Sequence, residues 1–275
     1  MKRPAPESRP VALTIAGSDS GGGAGIQADL ATMASHGVYG TSAITAVTAQ
    51  HTRGVESSFV LPTAEIDAQI DAVVGDFDVG AAKTGMLATT EVVELVTEHA
   101  RSFPFPLVVD PVMVATSGDR LLDERAERAY ESLIAEATLV TPNADEAEVL
   151  TGVAVDDVER AREAGEALLE MGADAALVKG GHVPGETVRD VLVRAGDPAT
   201  GAGEPAVTTF EHERVDTDAT HGSGCALSAA VAARLARGEG LEAAVEGAVD
   251  FLARAIERHY DVGRGPGAVN HSVDR

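Results

Sequence analysis

Two glycine-rich turns in this sequence each lead into a helix-like segment. The first, GSDSGGGAGIQAD, covers residues 17–29 and follows the apolar run VALTIA. The second, THGSGC, covers residues 220–225 and precedes a long alanine-rich segment. The backbone N–H groups at a helix N-terminus are free, and the helix dipole is positive there. Either turn could therefore bind a phosphate.

The first turn matches neither of the common nucleotide-binding motifs. GGGAG at residues 21–25 lacks the G-x-G-x-x-G spacing, and the second predicted strand ends near Gln50 instead of a ribose-binding carboxylate. A P-loop is excluded because no Gly-Lys-Ser/Thr follows the glycines. Two alternatives stay open: a tight turn without a ligand, and an Asp29 that only complements its helix dipole.

The second turn has the composition of an anion site. Its small residues Gly222, Ser223 and Gly224 let successive N–H groups point to one centre, where they could stabilise a transferring phosphoryl group. Cys225 follows at the helix N-terminus, where a thiol pKa tends to be lowered. The alternatives are a buried apolar Cys225 and an ordinary helix start at Ser223. A cysteine hydrolase is disfavoured, because His221 lies too near in sequence and G-x-S-x-G is absent.

Other polar residues stand where apolar strands end. Lys179 ends AALVK and could bind a phosphate oxygen or form a salt bridge on a loop, and Asp110 follows LVV. Asn143 and Glu146 have the spacing of a capping box, but Asp110 and Glu146 could also hold Mg²⁺ through water. The carboxyl ends of parallel strands share one edge of a sheet, so these residues are expected to lie together.

Alternating strand-like and helix-like segments must position these residues. Strands are predicted at 11–16, 41–48, 79–84, 107–110, 137–141 and 174–179. Helices are predicted from the spacing of Ile26, Leu30, Met33 and Ala34, from that of Ile66, Ile70, Val73 and Val74, and over 89–101, 124–136, 143–150, 157–171, 223–237 and 241–258. The strands are apolar on both faces, which is typical of a parallel sheet covered on both sides.

The pattern changes after Gly180. TVRDVLVRAG and AVTTFEHERV predict an antiparallel hairpin at the edge of the sheet, and Gly238 is predicted to end the first of the two last helices. The sequence contains no linker and no internal repeat. We therefore expect one domain over 1–275, with a flexible tail at 1–10 and a loop or tail at 262–275.

Composition limits the partners and the location. The chain has 275 residues with 44 acidic and 21 basic side chains, a net charge of −23. Such a surface repels nucleic acid and anionic membranes, so neither is an expected partner. The three lysines are Lys2, Lys83 and Lys179, and this scarcity resembles proteins of salt-loving organisms. A single cysteine, no signal peptide and no apolar run of roughly 20 residues predict a cytoplasmic protein without an intrachain disulfide.

Seven segments in this order resemble hydroxymethylpyrimidine/phosphomethylpyrimidine kinase, a ribokinase-like family of thiamine biosynthesis. The segments are IAGSDSGGGAGIQADL, TAVTAQHT, KTGML, DPVM, TPNADEAEVL, VKGGH and THGSGC. The resemblance runs from about Val11 to the 241–258 helix. It implies an α/β fold: a three-layer α/β/α sandwich whose mostly parallel central sheet has an antiparallel edge hairpin.

The resemblance also assigns site residues. It implies that the pyrimidine pocket is lined by Gly17, Asp29, Gln50, Met86 and Val112. It implies that ATP and Mg²⁺ face Asn143, Glu146, Lys179, Thr220, Gly222, Ser223 and Gly224. Gln50 offers a donor and an acceptor, which suits an aminopyrimidine edge. Two details differ from the commonest family pattern, since Ser223 replaces Thr and Ala219 stands where Asn is frequent.

The implied reaction is ATP-dependent phosphorylation of the hydroxymethyl group, followed by a second transfer to the monophosphate. Cys225, as thiolate, would take or orient the hydroxyl proton, while Lys179 and the 222–225 amides, those of Gly222 and Gly224 among them, stabilise the phosphoryl group. Relatives imply a homodimer. The alternatives are a pyridoxal kinase of the same fold and a non-catalytic nucleotide-binding regulator.

Overall fold

The computed structural model describes residues 5–113, 126–181, 183–196 and 203–273. Within these ranges the strands are β1 (Val11–Asp19), β2 (Tyr39–His51), β3 (Gly54–Val60), β4 (Val79–Thr84), β5 (Leu107–Val109), β6 (Leu139–Val140), β7 (Ala175–Val178), β8 (Thr187–Arg194) and β9 (Ala206–Glu213). They form one sheet in the order β3-β2-β1-β4-β5-β6-β7-β8-β9. The six central strands, β2, β1, β4, β5, β6 and β7, are parallel. Antiparallel pairing adds β3 at one edge and β8 and β9 at the other.

Helices cover both faces of this sheet. They are α1 (Gly25–Ser35), α2 (Thr63–Asp76), α3 (Thr90–Ala100), α4 (Ala126–Ile134), α5 (Ala144–Thr151), α6 (Val158–Glu170), α7 (Ser223–Ala236) and α8 (Leu241–Glu257). Neighbouring strand residues face opposite layers. Ala82 and Val109 pack with α2, α3 and α4, whereas Ala81 and Val108 pack with α7 and α8. The predicted three-layer sandwich is therefore confirmed.

The predicted strands and helices all occur, with ends that differ by a few residues. Positions 124–125 of one predicted helix and part of the hairpin connection lie outside the described residues. The predicted antiparallel edge hairpin is confirmed as β8 and β9, and β3, which was not predicted, adds an antiparallel strand at the other edge beside β2. Its sequence GVESSFV has a polar centre and is largely exposed, with Phe59 65% accessible, so it gives no signal of a buried strand.

The segment after α8 packs against the rest of the molecule. Val269 is fully buried, and its N–H donates to the carbonyl of His221 at 3.1 Å. Two N–H groups of the same segment, at Arg264 and Gly265, donate to Thr52 Oγ1 in the turn between β2 and β3. These contacts tie residues 263–273 to the turn that precedes α7 and to the turn between β2 and β3.

None of the helices in the described ranges is both long enough and apolar enough to cross a membrane.

Alanine substitutions at two glycines are expected to change the free energy of unfolding in opposite directions. Gly75 lies in α2, whereas Gly152 ends α5 with a left-handed φ of +74°, and a Cβ at either position meets nothing within 4 Å. We expect G75A to raise the free energy of unfolding by about 0.5–1 kcal/mol and G152A to lower it by about 1–2 kcal/mol. Urea unfolding of both variants measures this, and equal signs would contradict the assigned helix ends.

Candidate active site

A cavity of about 900 Å³ opens at the carboxyl ends of the parallel strands. Most of the predicted site residues line it. They are Gly17, Gln50, Met86, Asp110, Val112, Asn143, Glu146, Lys179, Thr220, Gly222, Ser223, Gly224 and Cys225. The fold thus brings together side chains and turns that lie more than two hundred residues apart in sequence, as expected for a ligand site of a parallel α/β sheet.

The two glycine turns touch each other in this cavity. Gly222 precedes α7 with a left-handed φ of +81°, and a Cβ there would collide with the carbonyl oxygen of Gly23. Gly23 has a similar restriction, since its Cβ would meet the ring of His221. Only glycines allow this approach, which brings the N-termini of α1 and α7 to the same cavity. No side chain caps α7, so its first turn can accept an anion.

Asp19 holds the first turn in shape. Its carboxylate accepts hydrogen bonds from the N–H groups of Gly21 at 2.7 Å, Gly23 at 3.0 Å and Ala24 at 2.9 Å. Burial by itself raises the pKa of Asp19, but His221 and then the backbone N–H groups of Gly21 and Ala24 lower the pKa to below its usual value. The carboxylate is therefore charged at neutral pH. Asp19 was not among the predicted site residues, although this residue stands inside the first glycine motif.

Lys179 joins two carboxylates on the opposite wall. Its Nζ lies 3.3 Å from Asp110 Oδ1 and 3.9 Å from Glu146 Oε2. Burial by itself lowers the pKa of Lys179, but the two carboxylates raise it above its usual value, so the ammonium persists. A Cβ on Gly224 would stand 3.3 Å from this Nζ, which places the ammonium at the start of α7.

Glu146 has two roles in this arrangement. Its N–H donates to Asn143 Oδ1 and its carboxylate accepts from the Asn143 N–H, both at 2.8 Å, so the predicted capping box is confirmed. The second role is in the cavity wall, where burial first and Asp110 next raise the pKa of Glu146. Asp110 and Glu146 are buried oxygen ligands whose two carboxyl groups share one ammonium. This donor set fits a hard divalent cation such as Mg²⁺.

Asp29 does not line the cavity. It is fully buried, accepts a hydrogen bond from Thr14 Oγ1 at 2.6 Å and pairs with Lys83, whose Nζ lies 3.1 Å from Oδ1. Asp29 lies one helical turn after the start of α1, and that turn faces β1 and β4 instead of the cavity. The Asp29 carboxylate is therefore paired with Lys83 and is not exposed to a substrate in the cavity.

Lys83 is a buried cation that was not among the predicted site residues. Burial by itself lowers its pKa, but Asp29 and then Asp110 raise it above the usual value. The signal in the sequence was a lysine within the apolar strand VGAAKT, in a chain with three lysines.

Cys225 contradicts one prediction. The expected lowering of its pKa at a helix N-terminus is wrong, because burial raises the pKa of this thiol to about 12. Lys83 opposes that increase, while Asp29 and Asp110 add to it. The dipole of α7 does not outweigh burial beside two carboxylates, so Cys225 is a thiol at neutral pH.

The part of the cavity wall around Gly17 combines apolar side chains with one amide. Gly17 leaves room for the methyl group of Met86, which a Cβ at position 17 would approach to 2.5 Å. Val112 lines the same part of the cavity. Gln50 supplies the polar contact, and its Oε1 lies 3.2 Å from Thr48 Oγ1. This end of the cavity can hold a flat ring that carries hydrogen-bonding groups on one edge.

Comparisons with known proteins agree with this geometry. The family model for phosphomethylpyrimidine kinase matches residues 19–270. The hydroxymethylpyrimidine/phosphomethylpyrimidine kinase of Rhizobium meliloti is 47% identical over 266 residues, which cover 95% of this chain and 96% of that protein. The thiamine biosynthesis bifunctional protein ThiED of Geobacter sulfurreducens is 44% identical over 276 residues, which cover 98% of this chain and 54% of that protein.

A solved structure is similar as well. An ADP complex of Bacillus subtilis pyridoxal kinase superimposes with a TM-score of 0.86 at 34% identity, over 97% of this chain and 98% of that one.

The buried pair of Lys83 and Asp29 supports the floor of the site. K83M leaves a carboxylate without its cation in a fully buried position, so we expect the free energy of unfolding to fall by about 3–5 kcal/mol. The control is R189M, which breaks the exposed pair with Glu211 and should change it by less than about 1 kcal/mol. Urea unfolding measures both variants, and a similar small loss in each would contradict the structural role of the pair.

Proposed function

The chain belongs to the phosphomethylpyrimidine kinase family, and from that premise we propose that it phosphorylates hydroxymethylpyrimidine and then its monophosphate. The donor is ATP, and the product is the pyrimidine diphosphate needed for thiamine diphosphate biosynthesis. One observation carries the proposal: the uncapped start of α7 and the ammonium of Lys179 face the same cavity as the amide of Gln50. A phosphate site and a site for a polar ring edge thus share one cavity.

The phosphate side of the reaction uses the turn before α7. The N–H groups around Gly222 and Gly224 and the ammonium of Lys179 are aimed at the charge that develops on the transferred group. Thr220, Ser223 and Asn143 stand beside them in the cavity wall. Asp110 and Glu146 would hold Mg²⁺, which when bound supplies positive charge against the ATP phosphates.

The pyrimidine side uses Gly17, Gln50, Met86 and Val112. The glycine and the two apolar side chains form a slot for a flat ring, and Gln50 presents hydrogen-bonding groups to its edge. Asp29 has no direct contact with the substrate in this proposal and serves as the buried counter-ion of Lys83. This division makes the first glycine turn the substrate side of the site and the second one the phosphate side.

Cys225 orients the hydroxyl group of the first substrate instead of ionising. Its thiol is protonated at neutral pH because burial raises its pKa to about 12. Transfer of a phosphoryl group through a loose transition state needs little base, since the proton of the hydroxyl can leave late. The nucleophile of the second transfer is already an anion, so that step depends less on Cys225.

The pyridoxal kinase alternative is less well supported. The pyrimidine kinase of Rhizobium meliloti shares 47% of its residues with this chain, against 34% for the pyridoxal kinase of Bacillus subtilis. A non-catalytic regulator is disfavoured because Lys179, Asp110 and Glu146 are all in the cavity wall. Four expectations stay part of the proposal: one domain, a cytoplasmic location, a homodimer and adaptation to salt. The first is supported because the nine strands of the described residues lie in one sheet, and the charge of −23 supports the last.

An activity assay tests the function directly. The purified protein is given Mg·ATP with hydroxymethylpyrimidine, its monophosphate or pyridoxal, and ADP release is measured. We expect both pyrimidines to be phosphorylated, with kcat/KM at least about tenfold above that for pyridoxal, the effect of about one hydrogen bond. K179M is the control, and loss of a charged donor should slow both transfers by about 10²–10³-fold. Absence of ADP release with either pyrimidine would contradict the proposal.

The pH dependence tests the role of Cys225. A thiolate base with a pKa of about 12 would make the first transfer tenfold faster for each unit of pH between 7 and 9. We expect instead a change of less than about threefold in kcat over this range, because an orienting thiol is already in its active form. C225A should slow the first transfer by about tenfold and the second by less. If kcat of the first transfer rose tenfold per pH unit and C225A abolished this rise, Cys225 would act as a thiolate base and the orienting role would be wrong.

A further inference from the structure

Asp19 and His221 connect the two glycine turns by a hydrogen bond between side chains. His221 Nε2 lies 3.2 Å from Asp19 Oδ2, and the two residues are 202 positions apart in sequence. Asp19 is buried, and the ring of His221 is confined by Gly23 on one side. The carbonyl of His221 also accepts the N–H of Val269, so the backbone of this residue is held from behind.

The charge of Asp19 decides where His221 carries its proton. Backbone donors and His221 together hold the pKa of Asp19 below its usual value, so the carboxylate is ionised at neutral pH. An ionised carboxylate only accepts hydrogen bonds. The nitrogen of His221 that faces it, Nε2, must therefore carry a hydrogen.

This proton in turn restricts Gln50. The Nε2 of Gln50 lies 3.4 Å from His221 Nε2, so two donors would face each other. The Oε1 of Gln50 lies 3.2 Å from Thr48 Oγ1, whose hydrogen is already donated to the carbonyl of Ser18 at 2.9 Å. Rotation of the Gln50 side-chain amide by half a turn about the Cγ–Cδ bond exchanges Oε1 and Nε2. This exchange resolves both conflicts. The single hydrogen on His221 Nε2 is then shared between Asp19 Oδ2 and Gln50 Oε1 in a three-centre hydrogen bond, and the amide nitrogen donates to Thr48 Oγ1.

We propose that His221 is a positioning residue which, backed by Asp19, holds the Gln50 amide in this orientation and so selects an aminopyrimidine edge. The inference rests on the proposed function. In this orientation one lone pair of Oε1 and one N–H of Nε2 are left for the cavity. They match a ring edge that places an amino group beside a ring nitrogen, as in the aminopyrimidine. Pyridoxal has no amino group on its ring, so it cannot use both at once.

Kinetics of two His221 variants test this role. H221F removes the donor but keeps a flat ring, and H221Q keeps an N–H near the place of Nε2. For H221F we expect the KM for hydroxymethylpyrimidine to rise about tenfold, the loss of one hydrogen bond. The KM for ATP and kcat/KM for pyridoxal should change by less than about threefold. H221Q should restore most of the pyrimidine affinity, and H259Q, at an exposed histidine after α8, is the control.

The result that overturns the inference is equally specific. Equal increases of the KM for pyrimidine and ATP in H221F, or no rescue by H221Q, would mean that His221 only supports the turn. If H221F does not fold, H221Q and the wild-type protein still decide the question.

Nitrogen-15 NMR of histidine-labelled protein identifies the protonated ring nitrogen of His221, with H221Q assigning its signal. A hydrogen on Nδ1 alone would overturn the inference. A wild-type protein that phosphorylates neither pyrimidine would refute the proposed function, while the NMR result would still test the network.

Discussion

The close contact between two glycine turns is the constraint on which the site depends. The carbonyl of Gly23 lies against the α-carbon of Gly222, in a space that no side chain could share. Through this contact the N-termini of α1 and α7 open into one cavity, although α1 follows the first strand and α7 comes near the end of the chain. Asp19 keeps the first turn in shape with three backbone hydrogen bonds. A wider separation would divide the substrate side from the phosphate side.

Buried charges extend from the floor of the cavity to its wall. Asp29 and Lys83 form a fully buried pair below, and Asp110, Lys179 and Glu146 form the wall above. Cys225 lies between the two groups and is influenced by Asp29, Lys83 and Asp110. Three carboxylates and two ammonium groups leave this region net negative. Burial is the main reason that the Cys225 thiol stays protonated, and the negative charge adds to it. The same charge makes the wall fit a divalent cation.

Much of the fold could be predicted because its signals are local. Apolar strands such as VALTIA and the periodic helices between them indicate a covered parallel sheet, whatever their partners. β3 could not be predicted in this way, because its polar centre is exposed at an edge and is stabilised by pairing with β2. The capping box of Asn143 and Glu146 was predictable for the same reason as the strands, since its two hydrogen bonds join residues three apart.

The sequence by itself determined the sheet, most of its covering helices and the set of residues that gather at one edge of it. Those features follow from hydrophobic periodicity and from the rule that parallel strands end on the same side. Only the tertiary structure decided which polar side chain faces which. It turned Asp29 away from the cavity to Lys83, kept Cys225 protonated and joined Asp19 to His221 across 202 positions. Burial and distance set these outcomes, and neither quantity exists until the chain has folded.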